Sequence, residues 1–297
     1  MRSNTDEISV DSVRIVTPSG AVRGHHITPE EPENVVAAVV LHPATAVPER
    51  LYRGFAEYLA GEGFAVVTYD YRGTGSSGVP SENRGIRMRD WMTEDVPAVA
   101  QWAHDRYPNI PHLAVGHSIG GHALALDNGS SHLQGFVTIA SHTGVTATIP
   151  TFSERLKVGF VLRVLGPLTA RVLGYVPGRR IGLGEDMPGA SMLEWSKWSR
   201  LPGYFFDDST MAAKARAARV TQDVLAIGFT DDLWATSQQI DAITEHLSNA
   251  EVERRTVDPR SVGVAKIGHM GFFRRENCER LWPEVSAWLQ QHAEPLS

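Results

Sequence analysis

One segment, Leu113-Ala114-Val115-Gly116-His117-Ser118-Ile119-Gly120-Gly121-His122-Ala123, restricts the fold of this chain more than any other. An apolar run suited to a strand passes without a linker into Gly-x-Ser-x-Gly and then into a helix-forming stretch, the pattern of a nucleophile elbow. Such a turn strains the serine backbone, and a side chain at either flanking position would collide with the neighbouring strand or helix. Glycines at 116 and 120 remove that collision. Ser118 Oγ is thereby lifted clear of the sheet edge, at the positive N-terminus of the next helix, where a developing oxyanion is stabilised. At ordinary Gly and Ser usage the bare pattern arises by accident in roughly one chain in ten of this length. The strand before it and the helix after it therefore carry the inference.

The rest of the first half repeats the same alternation. Apolar runs at Val35 to Leu41, Phe64 to Tyr69, Leu113 to Val115 and Phe136 to Ala140 read as strands, as does Val224 to Ile227 later on. Continuous apolar strands are those covered on both faces. Leu51, Phe55 and Leu59 repeat every four residues on one helical face, and Gly61 and Gly63 stop that helix. Strands separated by helices imply right-handed crossovers and a mostly parallel sheet. Before residue 30, short alternating pieces around Ile8, Val10, Val13 and Ile15 with a turn at Gly20 predict antiparallel edge strands.

Between about residues 142 and 218 the strands vanish. This stretch reads as an inserted helical cap, with residues 1–141 and 219–297 as the core domain. Phe152 to Tyr175 is rich in Val, Leu and Phe but interrupted by Arg163, Gly166, Pro167 and Arg171, so it falls short of the roughly 20 uncharged apolar residues that cross a bilayer. Two helices joined near Gly166-Pro167 are expected, with contact to a lipid surface as an alternative to packing on the core. Trp195, Trp198, Tyr204, Phe205 and Phe206 either bind this cap to the body or line a pocket.

A serine hydroxyl is a weak nucleophile at neutral pH, so Ser118 needs a base and the base needs a group to orient it. In an α/β arrangement the chain order is Ser, acid, His. The strand Val224 to Ile227 ends in Gly228-Phe229-Thr230-Asp231-Asp232-Leu233-Trp234, which puts two carboxylates at a strand's carboxyl end. His269 stands between Gly268 and Met270-Gly271 in a loop ahead of the last helix. None of the other histidines combines order, loop placement and glycine neighbours: His246 falls in a predicted helix, His292 in the tail, and His25-His26 near an early turn. Free histidine titrates at about 6.5, so activity through His269 is expected to fall below about pH 6 to 7.

These pieces resemble the α/β-hydrolase superfamily, and within it a branch of serine hydrolases similar to serine aminopeptidases and monoacylglycerol lipases. The resemblance covers nearly the whole chain. It rests on Ala44-Thr45-Ala46-Val47-Pro48 with Tyr52-Arg53 and Phe55-Ala56, Tyr69-Asp70-Tyr71-Arg72-Gly73-Thr74-Gly75-Ser76-Ser77, the elbow, Asp231-Asp232-Leu233-Trp234-Ala235, and Gly268-His269-Met270-Gly271-Phe272-Phe273-Arg274 with Leu281-Trp282. It implies an α/β-hydrolase fold, a mostly parallel eight-stranded sheet flanked by helices with a cap inserted after strand 6. It favours Asp232 as the acid, with Asp231 as its neighbour. It also implies two oxyanion donors, the N–H of Ile119 and one from the loop His42-Pro43-Ala44-Thr45. Proline has no N–H, so that second donor is Ala44 or Thr45.

The expected function is hydrolysis of a carboxylic ester, thioester or amide of a small, apolar substrate through Ser118, Asp232 and His269 and an acyl-enzyme. An acyltransferase with the same triad, a lyase or cofactor-free oxygenase, and a silent binding module are the rivals. Gly73-Thr74-Gly75-Ser76-Ser77-Gly78 fits a dinucleotide fingerprint, yet Val79-Pro80-Ser81 opens no helix, so no nucleotide cofactor is expected. His117 and His122 have no partners that would make a metal site. A net charge of −6 with scattered Arg doublets excludes nucleic acid as a natural partner. The polar Met1 to Glu7 does not read as a secretory signal, and one cysteine, Cys278, allows no internal disulfide. A cytoplasmic enzyme without an integral membrane segment is the expectation, and a homo-oligomer stays open.

Overall fold

A computed structural model of the chain describes residues 8–31 and 35–293; the polar residues 1–7 discussed above lie outside the described residues. Eight strands form one sheet: β1 (Ile8–Thr17), β2 (Gly20–Pro29), β3 (Ala37–His42), β4 (Phe64–Asp70), β5 (His112–His117), β6 (Leu133–Ile139), β7 (Asp223–Phe229) and β8 (Val252–Val257). Their order is β1-β2-β4-β3-β5-β6-β7-β8. The β1-β2 and β2-β4 pairs are antiparallel and all the others parallel.

The apolar strands alternate faces, as a period of two requires. Val39, Leu41, Leu113, Val115, Val137 and Ile139 join one buried cluster with Phe55 and Leu59 of α1 (Arg53–Gly61) and Trp282 and Leu289 of the last helix (Cys278–Gln291). Val40, Val67, Tyr69, Ala114 and Phe136 join the other, against Val96 and Val99 of α2 (Val96–Arg106) and Ala123 and Leu124 of α3 (Ile119–Ala125). Phe55 is fully buried, which contributes about 1.5–3 kcal/mol relative to exposure. The register that sets Leu41 beside Val115 also sets His42 beside Gly116 and His117 beside Ile139. The loops after β3, β5 and β6 thus leave the sheet side by side.

Three details differ from the sequence reading. Val252–Val257 was not anticipated as a strand, because Glu253, Arg254 and Arg255 break its apolar pattern. It pairs only with β7 at the sheet edge, where Arg254 bonds Asp241 at 2.7 Å and Arg255 pairs with Glu253 and Glu284. β1 and β2 are ten residues each rather than short pieces, and His25 and His26 lie within β2. Gly166-Pro167 does not break the helical segment after residue 150. A π turn at Val161–Leu165 joins α4 (Phe152–Phe160) to α5 (Gly166–Leu173), and Pro167 falls in the first turn of α5, where its missing N–H is tolerated.

Residues 140–222, between β6 and β7, also hold a two-stranded ribbon of Tyr175–Val176 and Met187–Pro188 and the helix α6 (Gly189–Trp198). The aromatic residues divide. Trp198, Tyr204 and Phe205 are buried, whereas Trp195 faces a cavity. Arg89 ties this segment to the body through Glu194 and Asp208.

Candidate active site

Ser118 sits where β5 turns into α3, at φ 51 and ψ −111. That backbone is costly for a residue with a side chain and persists only where its surroundings enforce it. Here they do: Ser118 N–H donates to the Ile139 carbonyl at 3.0 Å, and the Ser118 carbonyl accepts from His122 N at 3.1 Å. A Cβ at Gly116 would run into the backbone of Gly120 and Gly121, and one at Gly120 into the His42 carbonyl.

Two successive carboxylates end β7, and they have different work. Asp232 is buried, its Oδ1 accepts from Trp234 N at 2.9 Å and Ala235 N at 3.1 Å, and its Oδ2 faces His269 Nδ1 at 2.7 Å. Burial pulls this carboxyl upward, but His269 and the backbone donors outweigh it and hold it below the usual carboxylate range. Asp231 instead accepts from Ile267 N and Gly268 N, each at 2.9 Å, and so fastens the loop that presents His269. Ser118, Asp232, His269, Ala44 and Thr45 all line one cavity of about 490 Å³. Ser118 Oγ itself has no hydrogen-bond partner among the described residues.

The loop after β3 divides its two candidate donors. Ala44 N–H is given to Tyr52 Oη at 2.7 Å. Thr45 N–H has no partner among the described residues and Thr45 lines the cavity. Tyr52 Oη also lies 2.9 Å from His117 Nδ1, and His117 Nε2 lies 2.9 Å from the His269 carbonyl. That carbonyl can only accept, so His117 carries its proton on Nε2 and Nδ1 accepts from the Tyr52 hydroxyl. This chain of bonds joins the β3 loop, the residue before Ser118 and the His269 loop.

Sequence reasoning also passed over His142, in the loop after β6. Its Nδ1 donates to Gln239 Oε1 at 2.9 Å, and its ring meets that of His269 edge to face at 5.4 Å. Burial pushes it down to about 4, as it pushes His42 and His122 to about 3. No sequence signal separates such a histidine from a solvated one.

Trp195, Trp234, Leu183, Leu233 and Met270 give the cavity apolar walls. A smaller hollow of about 10 Å³, lined by Val145, Ile149, Val158 and Leu162, adjoins it at His142, Trp195 and Trp234. The glycine-rich turn at Gly73 to Gly78 lies apart and holds no ligand-facing helix. It wraps Asp70, whose Oδ2 accepts from Ser76 N at 2.7 Å. Among the described residues no group of three or more His, Cys, Asp or Glu side chains is placed to hold a metal ion.

The strand order, the strained serine between β5 and α3 and the acid and histidine loops after β7 and β8 define an α/β-hydrolase. The chain belongs to the family described as serine aminopeptidase, S33, which it matches over residues 23–252, and is an enzyme of the serine-hydrolase class. Solved structures share the fold at low identity. An esterase from Pyrococcus furiosus is 16% identical, covering 97% of this chain and 92% of that one with a TM-score of 0.60. An esterase from Exiguobacterium antarcticum is 14% identical, covering 94% and 100%, with a TM-score of 0.60. A monoacylglycerol lipase from Paleococcus ferrophilus is 16% identical, covering 96% and 99%, with a TM-score of 0.56. No curated protein matches the chain in sequence. Among the described residues no helix is long and apolar enough to cross a membrane.

Proposed function

We propose that the protein hydrolyses carboxylic esters with an apolar acyl or alcohol part, through Ser118, His269 and Asp232. Ser118 Oγ attacks the carbonyl carbon as His269 Nε2 takes its proton. Asp232 accepts a hydrogen bond from Nδ1–H, which fixes the tautomer and stabilises the imidazolium while the carboxylate stays ionised. The ester C–O bond then breaks, the alcohol leaves with the proton from His269, and an acyl-Ser118 ester remains. Water gives a proton to His269 and adds to that ester, and Ser118 is released with the acid. Ile119 N–H and Thr45 N–H hold the oxyanion; Ala44 is the weaker candidate because Tyr52 Oη already takes its N–H.

The observation that carries this reading is the 2.7 Å bond between His269 Nδ1 and a buried Asp232, in a cavity that Ser118 also lines. The apolar walls and adjoining hollow support an apolar substrate. The esterases and the monoacylglycerol lipase of the same fold support an ester. Residues 142–218 act as a cap, a reading supported by Trp195 and Leu183 of this segment lining the cavity that Ser118 lines; residues 1–141 and 219–297 are the core.

p-Nitrophenyl esters of increasing acyl length test the reading. Turnover by the wild type that depends on chain length and vanishes in Ser118→Ala is expected. Absence of turnover across the whole series would contradict it.

A further inference from the structure

The helical stretch from α4 to α5 is apolar on both sides. Its inner face buries Val158, Leu162 and Ala170. Its outer face carries Phe152, Leu156, Phe160, Val164, Leu168 and Val172, between 50% and 72% exposed. Isolated exposed apolar residues are ordinary, but six in a row along one helix are not. Steps of four in an α-helix drift by about 40° each. The π turn at Val161–Leu165 puts more residues into a turn, which offsets part of that drift.

The charges beside the row are predominantly basic. Arg155, Lys157, Arg163 and Arg171 flank it, and the single acid, Glu154, accepts from Trp234 beside the cavity and lies 3.9 Å from Lys157, which leaves three arginines in excess. This basic stripe belongs to a chain with a net charge of −6. A two-fold dimer through this face would press like charges together, whereas an anionic surface would be attracted. With no helix able to cross a bilayer among the described residues, the contact is one of lying on a surface.

We infer that α4 and α5 dock the protein on an anionic lipid surface, with the Phe152 to Val172 row in the acyl boundary and Arg155, Lys157, Arg163 and Arg171 at the headgroups. The same stretch lines the substrate hollows through Glu154, Val158 and Leu162. Resting on the esterase reading, the consequence is that the natural substrate is an amphiphilic ester taken from that surface.

Flotation with vesicles tests the docking without any turnover. Wild type should float with vesicles of equal parts phosphatidylcholine and phosphatidylglycerol, and less with phosphatidylcholine alone. Leu156→Ser, Phe160→Ser and Leu168→Ser combined should weaken binding at least tenfold. Lys157→Gln with Arg171→Gln, which leaves the apolar row intact, should weaken anionic-vesicle binding about tenfold, as should added salt. Failure of wild type to float, or unchanged binding by either variant, overturns the proposal. So does a wild-type dimer that sedimentation shows dispersing in the triple-serine variant. Hydrolysis of soluble p-nitrophenyl acetate should be the same in wild type and the triple-serine variant. Its absence in both would strike the esterase reading and leave the flotation result standing.

Discussion

The loops that carry His269 and His142 meet with ring centroids 5.4 Å apart, and they hold one kind of side chain in two chemical settings. His269 turns Nδ1 to a buried carboxylate, Asp232, so a positive charge formed on it during a reaction is met by a negative one. His142 turns Nδ1 to the neutral carboxamide of Gln239, and burial, which outweighs the more distant charge of Asp232, holds it down at about 4. Gln239 is itself fixed, since its Nε2 donates to Thr148 Oγ1 and the Val145 carbonyl. Both histidines line the cavity that Ser118 lines, so under the proposed mechanism a place in that cavity does not by itself make a base. The partner on the far nitrogen does.

The comparison breaks if the two histidines prove interchangeable. His269→Ala should lower kcat/KM for p-nitrophenyl butyrate by about 10,000-fold, and His142→Phe by about tenfold at most, equivalent to about 1.4 kcal/mol. Equal losses would remove the distinction. Asp232→Asn should also cost about 10,000-fold in kcat with folding intact, because an amide opposite Nδ1 favours the wrong tautomer. Asp231→Asn should cost about 100-fold, through a misplaced His269 loop. The reverse ranking would exchange the roles of the two acids.

Two smaller effects sharpen the contrast. Gln239→Glu gives His142 the kind of partner that His269 has, and its imidazole resonances should then titrate well above the value of about 4. An unchanged midpoint by nuclear magnetic resonance would mean that burial alone governs the site. His42, His117, His122 and His142 are all held below the ordinary value by burial. The folded state thus binds fewer protons than the unfolded chain below about pH 6.5, so stability is complete above that value and lost as pH falls toward about 3. Each group contributes a slope of about 1.4 kcal/mol per pH unit, to be read from urea unfolding at stepped pH. A flat profile between pH 6.5 and 4.5 would show that these histidines are hydrated.

Much of this was legible because the chemistry demands rare local patterns. Gly116, Ser118 and Gly120 between a strand and a helix, two acids ending a strand and a histidine among glycines can be named from the residues alone, and the structure brings them to one cavity. The proposed preference for Thr45 over Ala44 could not be read, because it rests on the hydroxyl of Tyr52, eight residues on, which takes the Ala44 N–H. β8 was hidden by its own charges, which an edge strand can spread over neighbouring helices. The exposure of the Phe152 to Val172 row was equally hidden, since an all-apolar helix reads alike whether covered or bare. Burial and partners arrive only with the tertiary structure.

The most direct measurement is covalent labelling by a fluorophosphonate, located by peptide mass spectrometry. The wild type should carry a single adduct, on Ser118, with Ser118→Ala unlabelled and His269→Ala labelled far more slowly. An unreactive wild type, or an adduct of equal yield in Ser118→Ala, would contradict the account of this serine as the nucleophile.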